Sequence, residues 1–287
     1  MNHRRPLPLL FVAAALVSAL TACGGPGPAA TPTATTTTAR AENGPALPPA
    51  LSASEVAALP AVTFDAVIPG LLAAPSAPEV QSATRVAFDT AVYGADLTTP
   101  VARIPARDFL GASTVVVPIQ TKGGWSLILT PSRQELPSAA TAGKPAPAQT
   151  AAWVPTASLL PVAALTRSIV ISTSKQTLSI VDAKGKSSAT FAVGVGASDT
   201  PTPTGTGYLQ ARYLDPAQGQ DEHRIQLTSL HATAADEPYG GSDGGLIGIH
   251  FQSTARGAVS HGCVRLTADA IAAVDALPLG TAVQITD

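Results

Sequence analysis

From Ser168 onward, apolar and polar residues alternate. Ile169, Ile171, Leu178 and Ile180 take every second position with Ser and Thr beside them; Asp182-Ala183-Lys184-Gly185-Lys186 interrupts the pattern, and Ala189, Phe191, Val193 and Val195 resume it. A period of two sends successive side chains to opposite faces, so the segment predicts a hairpin with one buried face. Pro201-Thr202-Pro203-Thr204-Gly205-Thr206-Gly207 is too rich in Pro for regular structure and predicts a loop at a strand end. Arg224 to Leu227 and Gly245 to His250 predict two more strands. Thr267 is placed to cap a short helix reaching about Ala276, with Ile271 and Val274 inward, and Thr281 to Thr286 closes as a last strand.

The preceding part, about residues 61–165, is patterned in shorter pieces. Arg85 to Phe88, Ser113 to Ile119, Trp125 to Leu129 and Trp153 to Pro155 are β-prone and separated by Gly and Pro. Some five short strands predict a small all-β barrel. The order Val115-Val116-Val117-Pro118-Ile119, Lys122-Gly123-Gly124-Trp125 and Ala152-Trp153-Val154 resembles a bacterial SH3-like module, interrupted by an Ala- and Pro-rich insertion from Pro137 to Thr150. Trp125 and Trp153 are expected in the core rather than on a ligand platform. The chain is therefore read as mostly β, with a small β module at 61–165 and a second, β-rich domain with one short helix at 166–287.

Composition adjusts this picture at the N-terminus. Met1-Asn2-His3-Arg4-Arg5, an apolar run from Leu9 to Leu20 and a small-residue step have the form of a secretory signal, residues 1–22. A bilayer-spanning helix needs about 20 apolar residues, and this run is shorter. Leu20-Thr21-Ala22-Cys23 resembles the lipobox of bacterial lipoproteins, which implies cleavage before Cys23, lipidation of its thiol and a membrane anchor. Residues 23–60 are dominated by Ala, Pro, Thr and Gly, including the run Thr35 to Thr38, and predict a disordered tether. A net charge of −2 with no basic cluster argues against a nucleic-acid partner.

Only two cysteines are present. They admit one disulfide, two buried thiols or two separate roles; lipidation of Cys23 would exclude the disulfide. Cys263 lies in Ser260-His261-Gly262-Cys263-Val264-Arg265-Leu266, with His250 upstream. A thiol beside histidines in an exported chain suits nucleophilic catalysis, the imidazole taking its proton to give a thiolate–imidazolium pair at neutral pH. Gly262 allows a tight turn that points backbone amides at a developing oxyanion. Two alternatives stand beside this: Cys263 as a small buried apolar residue, and His250, His261 and Cys263 as zinc ligands. Wall-cleaving peptidases of the NlpC/P60 kind are disfavoured, because there the Cys precedes its His.

Ile249-His250 followed by Ser260-His261-Gly262-Cys263-Val264-Arg265-Leu266 resembles the signature of the L,D-transpeptidase catalytic domain, the YkuD family. Gln176 to Ile180, Val193-Gly194-Val195-Gly196, Thr202-Pro203-Thr204-Gly205 and Leu279 to Ile285 agree with it, so the resemblance runs from about Thr166 to Asp287. It implies Cys263 as the nucleophile that forms a thioester with a peptidoglycan stem peptide and releases D-Ala, and His250 as general base. It places Ser260, His261 and Gly262 in the oxyanion segment, with the Gly262 and Cys263 amides as donors, and gives Arg265 a buttressing or carboxylate-binding role. No cofactor and no metal are implied. Ranking His250 above His261 rests on the resemblance alone. Phe251 after the His and a short spacer to Cys263 depart from the pattern and bear on substrate preference. The expected protein is an exported, lipid-anchored peptidoglycan L,D-transpeptidase acting in the cell wall; an L,D-carboxypeptidase using water as acceptor and a non-catalytic wall-binding lipoprotein are the alternatives.

Overall fold

In the N-terminal half, a short helix α1 (Ala53–Ala57) opens on a capping box: Glu55 N–H donates to Ser52 Oγ, and Ser52 N–H donates to Glu55 Oε2 at 2.7 Å. The computed structural model describes residues 44–241 and 243–287. The apolar N-terminal run and Cys23 lie outside the described residues. Within the stretch expected as tether, residues 44–60 instead pack on the body of the protein. Leu51, Val56 and Leu59 cover Tyr93 and Trp125, and Pro45 O accepts from Trp125 Nε1–H at 3.2 Å. Three aliphatic side chains supply apolar contacts that the surrounding Ala and Pro concealed.

Beyond α1, the strands Pro100–Ile104, Thr90–Tyr93, Thr150–Pro155, Trp125–Thr130 and Pro118–Lys122 form one sheet in that order, with Leu72–Ala73 added beside Thr150–Pro155. A second sheet joins Val115–Val116, Ser82–Val86 and Leu159–Ala164. Trp125 is fully buried with its ring edge-on to Tyr93, and Trp153 is partly buried between two apolar clusters.

The expected hairpin forms in the C-terminal half. Strand β1 (Arg167–Ser172) pairs antiparallel with β2 (Thr177–Asp182), Ile169 opposite Ile180 and Ile171 opposite Leu178, and β2 pairs with β3 (Ser187–Ala192). Asp182 Oδ1 accepts from the Lys184 and Lys186 amides, each at 2.9 Å, which closes the turn between β2 and β3. There follow β4 (Gly194–Gly196), β5 (Gly205–Asp215), β6 (Gln220–His231), β7 (Leu246–Phe251), β8 (Gly257–Ser260), β9 (Val264–Leu266) and β10 (Ala282–Thr286). The sheet runs β3-β2-β1-β10-β5-β6-β7-β9-β4-β8. Helix α2 (Ala268–Asp275) begins after Thr267 and buries Ala270, Ile271 and Val274, although the Thr267 side chain makes no capping bond. Its far end is held by Arg212, whose guanidinium donates to the carbonyls of Asp275 and Leu277, a cation placed where the helix dipole is negative.

The halves meet through an extensive polar and apolar junction and belong to one compact unit. Tyr208 on β5 is buried in the cluster of Val117, Leu127, Leu129 and Ala151 from the N-terminal half. Ser229 Oγ donates to Gln149 Oε1 at 2.6 Å. Arg133, 3% exposed, donates to Asp236 O at 2.8 Å and Ala232 O at 3.1 Å, pinning the segment between β6 and β7.

Candidate active site

Two adjacent parallel strands bring the chemical residues together. His250 on β7 stands opposite Arg265 on β9, and Ile249 stands opposite Val264. Alternation sends Ile247 and Ile249 into the core and turns Gly248 and His250 to the other face, where a cleft of about 210 Å³ opens. Cys263 immediately precedes β9, and the Gly248 N–H donates to its sulfur at 3.4 Å. The cleft is lined by Cys263, His250, Ser260, His261 and Arg265, so five residues named from the sequence share one cavity.

The Cys263 turn is held by hydroxyls. Gly262 has φ +114°, a conformation that disfavours any side chain, and a Cβ there would come within 3.1 Å of Ile247 Cδ1. Ser260 Oγ donates to Cys263 O at 2.5 Å and accepts from Gly262 N–H at 3.2 Å. Thr202 Oγ1 donates to Gly262 O at 2.7 Å and accepts from Gly196 N–H at 2.8 Å, while Thr200 Oγ1 donates to Ser260 O at 3.0 Å. The Pro-rich loop before β5 is thus the clamp on the nucleophile's turn. The Gly262 amide, expected as an oxyanion donor, is already engaged by Ser260 Oγ, because the serine hydroxyl folds back over its own turn. That leaves the Cys263 amide of the expected pair.

His250 is oriented by its own backbone. Its Nδ1 lies 3.0 Å from Phe251 O, and a carbonyl can only accept, so the proton sits on Nδ1 and Nε2 is left as the acceptor. Gln220, buried on β6, donates from Nε2 to the same carbonyl at 3.1 Å. Burial pushes the His250 pKa below its ordinary value; the bond to Phe251 O opposes this, and the positive charge of Arg265 adds to it. Burial likewise pushes the Cys263 thiol up, with Gly248 N–H opposing, Asp243 adding and Arg265 opposing. Both charged forms are disfavoured. Burial thus works against the thiolate–imidazolium pair expected from adjacency, with a single amide on sulfur to oppose it.

The remaining histidines separate by environment. His261 is exposed and meets the Tyr239 ring edge-on at 5.9 Å. His223 packs on Phe251 with ring centroids 4.6 Å apart and the planes tilted by 48°, and His231 is buried against Phe64 O. Among the described residues there is no group of three or more His, Cys, Asp or Glu able to hold a metal ion. Arg265 is half-buried, and its Nε has no protein partner among the described residues. Gly248, Gln220, Asp243 and Tyr213 line the cleft without having been singled out by sequence, as do Phe64 and Phe109 from the N-terminal half. Their local patterns carry no signal; only the strand pairing and the junction bring them to Cys263.

Residues 166–285 match the family model of the YkuD L,D-transpeptidase catalytic domain. No curated protein sequence matches the chain. Among solved structures, an L,D-transpeptidase from Stackebrandtia nassauensis is 18% identical over 42% of this chain and 56% of its own, with a TM-score of 0.31. Mycobacterium tuberculosis L,D-transpeptidase 1 is 18% identical over 48% of this chain and 78% of its own, TM-score 0.31. An L,D-transpeptidase from Mycobacterium smegmatis is 13% identical over 76% of this chain and 99% of its own, TM-score 0.34. The match to the Stackebrandtia structure thus spans little more than half of that chain.

Proposed function

We propose that this chain, whose residues 166–285 form a YkuD-type L,D-transpeptidase catalytic domain, performs cysteine acyl transfer on peptidoglycan stem peptides. The observation that carries this reading is that Cys263 and a base of fixed tautomer line one cleft: Nδ1–H of His250 is committed to Phe251 O, which leaves Nε2 to take a proton.

In the first half-reaction the Cys263 S–H proton passes to His250 Nε2 as sulfur attacks the carbonyl between the third and fourth stem residues. The S–C bond forms, and the tetrahedral oxyanion is met by the Cys263 N–H. Collapse breaks the C–N bond, the imidazolium returns its proton to the leaving amine, and D-Ala departs. In the second half an acceptor amine gives a proton to Nε2, attacks the thioester carbonyl and forms an amide; sulfur leaves and is reprotonated. Transfer to an amine makes a cross-link, and transfer to water makes this an L,D-carboxypeptidase instead. Arg265, which lines the cleft, would supply the positive charge that meets a substrate carboxylate or carbonyl.

Action on peptidoglycan places the protein outside the cytoplasm, and the Leu20 to Cys23 step supports a lipid anchor. Incubation with disaccharide-tetrapeptide and intact-mass measurement tests the reaction. The expected result is an adduct equal to the donor minus D-Ala, absent in Cys263→Ala; release of D-Ala by that variant overturns the reading. Dimer formed against trimmed monomer separates the two acceptors. Metabolic labelling with palmitate is expected to mark the full-length chain and not Cys23→Ser.

A further inference from the structure

The cleft that holds Cys263 is not built by the catalytic domain alone. Phe64 and Phe109 of the N-terminal half line it together with Tyr213, Ile225, Leu227 and Leu246. Phe109 sits at the tip of a tied loop. Asp108 Oδ1 accepts from the Leu110 and Ala112 amides, each at 2.9 Å, Asp108 N–H donates to Ala112 O at 2.9 Å, and Arg107 bridges to Ser113. Gly111 takes φ +79° to close the turn. The loop presents Phe109 at 46% exposure, although its ring packs on Phe64 at 4.9 Å and on Tyr213 at 6.1 Å. A large aromatic held on two neighbours, yet left half exposed in the wall of the cleft that holds Cys263, is placed to receive a ligand.

We propose that Phe109 is a specificity-determining residue of the active site, supplied by the N-terminal half, that binds the aliphatic groups of the acyl donor flanking the scissile carbonyl. The proposal rests on the acyl-transfer reading above. Any donor whose carbonyl reaches Cys263 Sγ must enter this cavity, and about 210 Å³ admits little beyond the residues flanking the bond. Phe109, Phe64, Ile225, Leu227 and Leu246 give the cleft apolar surface that suits methyl and methylene groups, while Arg265 and Asp243 are its charged lining groups. The N-terminal half then sets donor affinity and leaves the chemical step to Cys263 and His250.

The test is single-turnover acylation of the full chain by disaccharide-tetrapeptide over a range of concentrations, read by intact mass, for wild type, Phe109→Ala, Phe109→Leu and Leu110→Ala. Covering half a Phe ring predicts that Phe109→Ala raises the half-saturating donor concentration about 5–10-fold, with the maximal acylation rate within about 2-fold of wild type. Phe109→Leu should recover most of the loss. Leu110→Ala, at the same tip but outside the cleft, should behave as wild type. Iodoacetamide labelling of Cys263 at equal rates in all four proteins shows that the thiol and its turn are intact. If wild type is acylated and Phe109→Ala saturates at the same concentration, or loses maximal rate alone, the inference is overturned. The same follows if Leu110→Ala shows an equal shift, since the effect then belongs to the loop's structure. If wild type itself is not acylated, the acyl-transfer reading fails first.

Discussion

His231 offers a measurement of the junction between the two halves. It is 2% exposed, and its Nε2–H donates to Phe64 O at 2.9 Å, so it is held neutral in the folded protein. Burial lowers its pKa from 6.5 to about 4; the nearby Arg133 pushes the same way, while the bond to Phe64 and the charge of Asp243 oppose it. Because the folded-state value lies below the unfolded one, the unfolded chain binds the proton first. The associated stability is fully present above pH 6.5, is lost as pH falls toward 4, and is gone below that. Protonating only the unfolded state at pH 4.5 costs about 2–3 kcal/mol for a folded pKa near 4. Asp236 and Asp275, whose pKa values are lowered chiefly by the Ser138 hydroxyl for the one and by bonds from Arg224 and Gln226 against burial for the other, also lose stability in acid, so a single protein cannot isolate the histidine. His231→Gln can, because the amide nitrogen occupies the place of Nε2 and does not titrate. Urea unfolding of both proteins at pH 7.0 and 4.5 should show wild type losing about 2–3 kcal/mol more than the variant. Equal losses would refute the assignment of a buried neutral histidine at this contact.

Three other outcomes follow from the same geometry. Alkylation of Cys263 by iodoacetamide should stay slow and flat through neutrality and climb only above pH 9, with His250→Ala leaving the profile unchanged; an inflection near pH 7 that vanishes in that variant would restore the ion pair. Thr202→Val strips partners from Gly262 O and Gly196 N–H and should cost about 2–3 kcal/mol of stability, with at least a 10-fold slower acylation, while Thr202→Ser retains both bonds and stays near wild type in urea unfolding and intact-mass kinetics. Arg133→Met removes two charge-assisted bonds to the segment joining β6 and β7 and should cost about 2–4 kcal/mol, lowering the melting temperature by several degrees; Arg133→Lys, which lacks the fork, should recover only part of this.

Where side chains alternate without interruption, the sequence was a sufficient guide. The hairpin of β2 and β3 turns at Asp182 to Lys186 as expected, and α2 begins after Thr267 because a short apolar stripe follows it. Strand β5 was hidden: its Gly-Thr-Gly start reads as loop, and its Tyr208 is buried by residues from the N-terminal half rather than by its own sheet. Residues 44–60 were misjudged because averaging over Ala and Pro conceals three aliphatic anchors whose partner, Trp125, lies far along the chain. At the site, Cys263 and His250 were legible as a motif, but Gly248 and Gln220 were not. A glycine that leaves room beside sulfur and a glutamine that shares a carbonyl with the base acquire meaning only from the pairing of β6, β7 and β9.

That same separation explains why pH should act on chemistry and on stability in different ways. The turn carrying Cys263 is fixed by Ser260, Thr200 and Thr202, none of which titrates, so its geometry is independent of pH and little affected by salt. What changes with pH near the sulfur is the occupancy of Nε2 on His250, and burial places that transition below 6.5. Acylation should therefore rise with pH to a plateau reached by neutrality, each gain reflecting more neutral imidazole rather than a reshaped site. His231 is also shifted down but acts through unfolding, so measuring acylation in His231→Gln removes its share of the acid stability loss and leaves the His250 profile in place. A plateau that moves when His231 is replaced would mean that the junction and the base are one titrating system, and the division of labour argued from these distances would not hold.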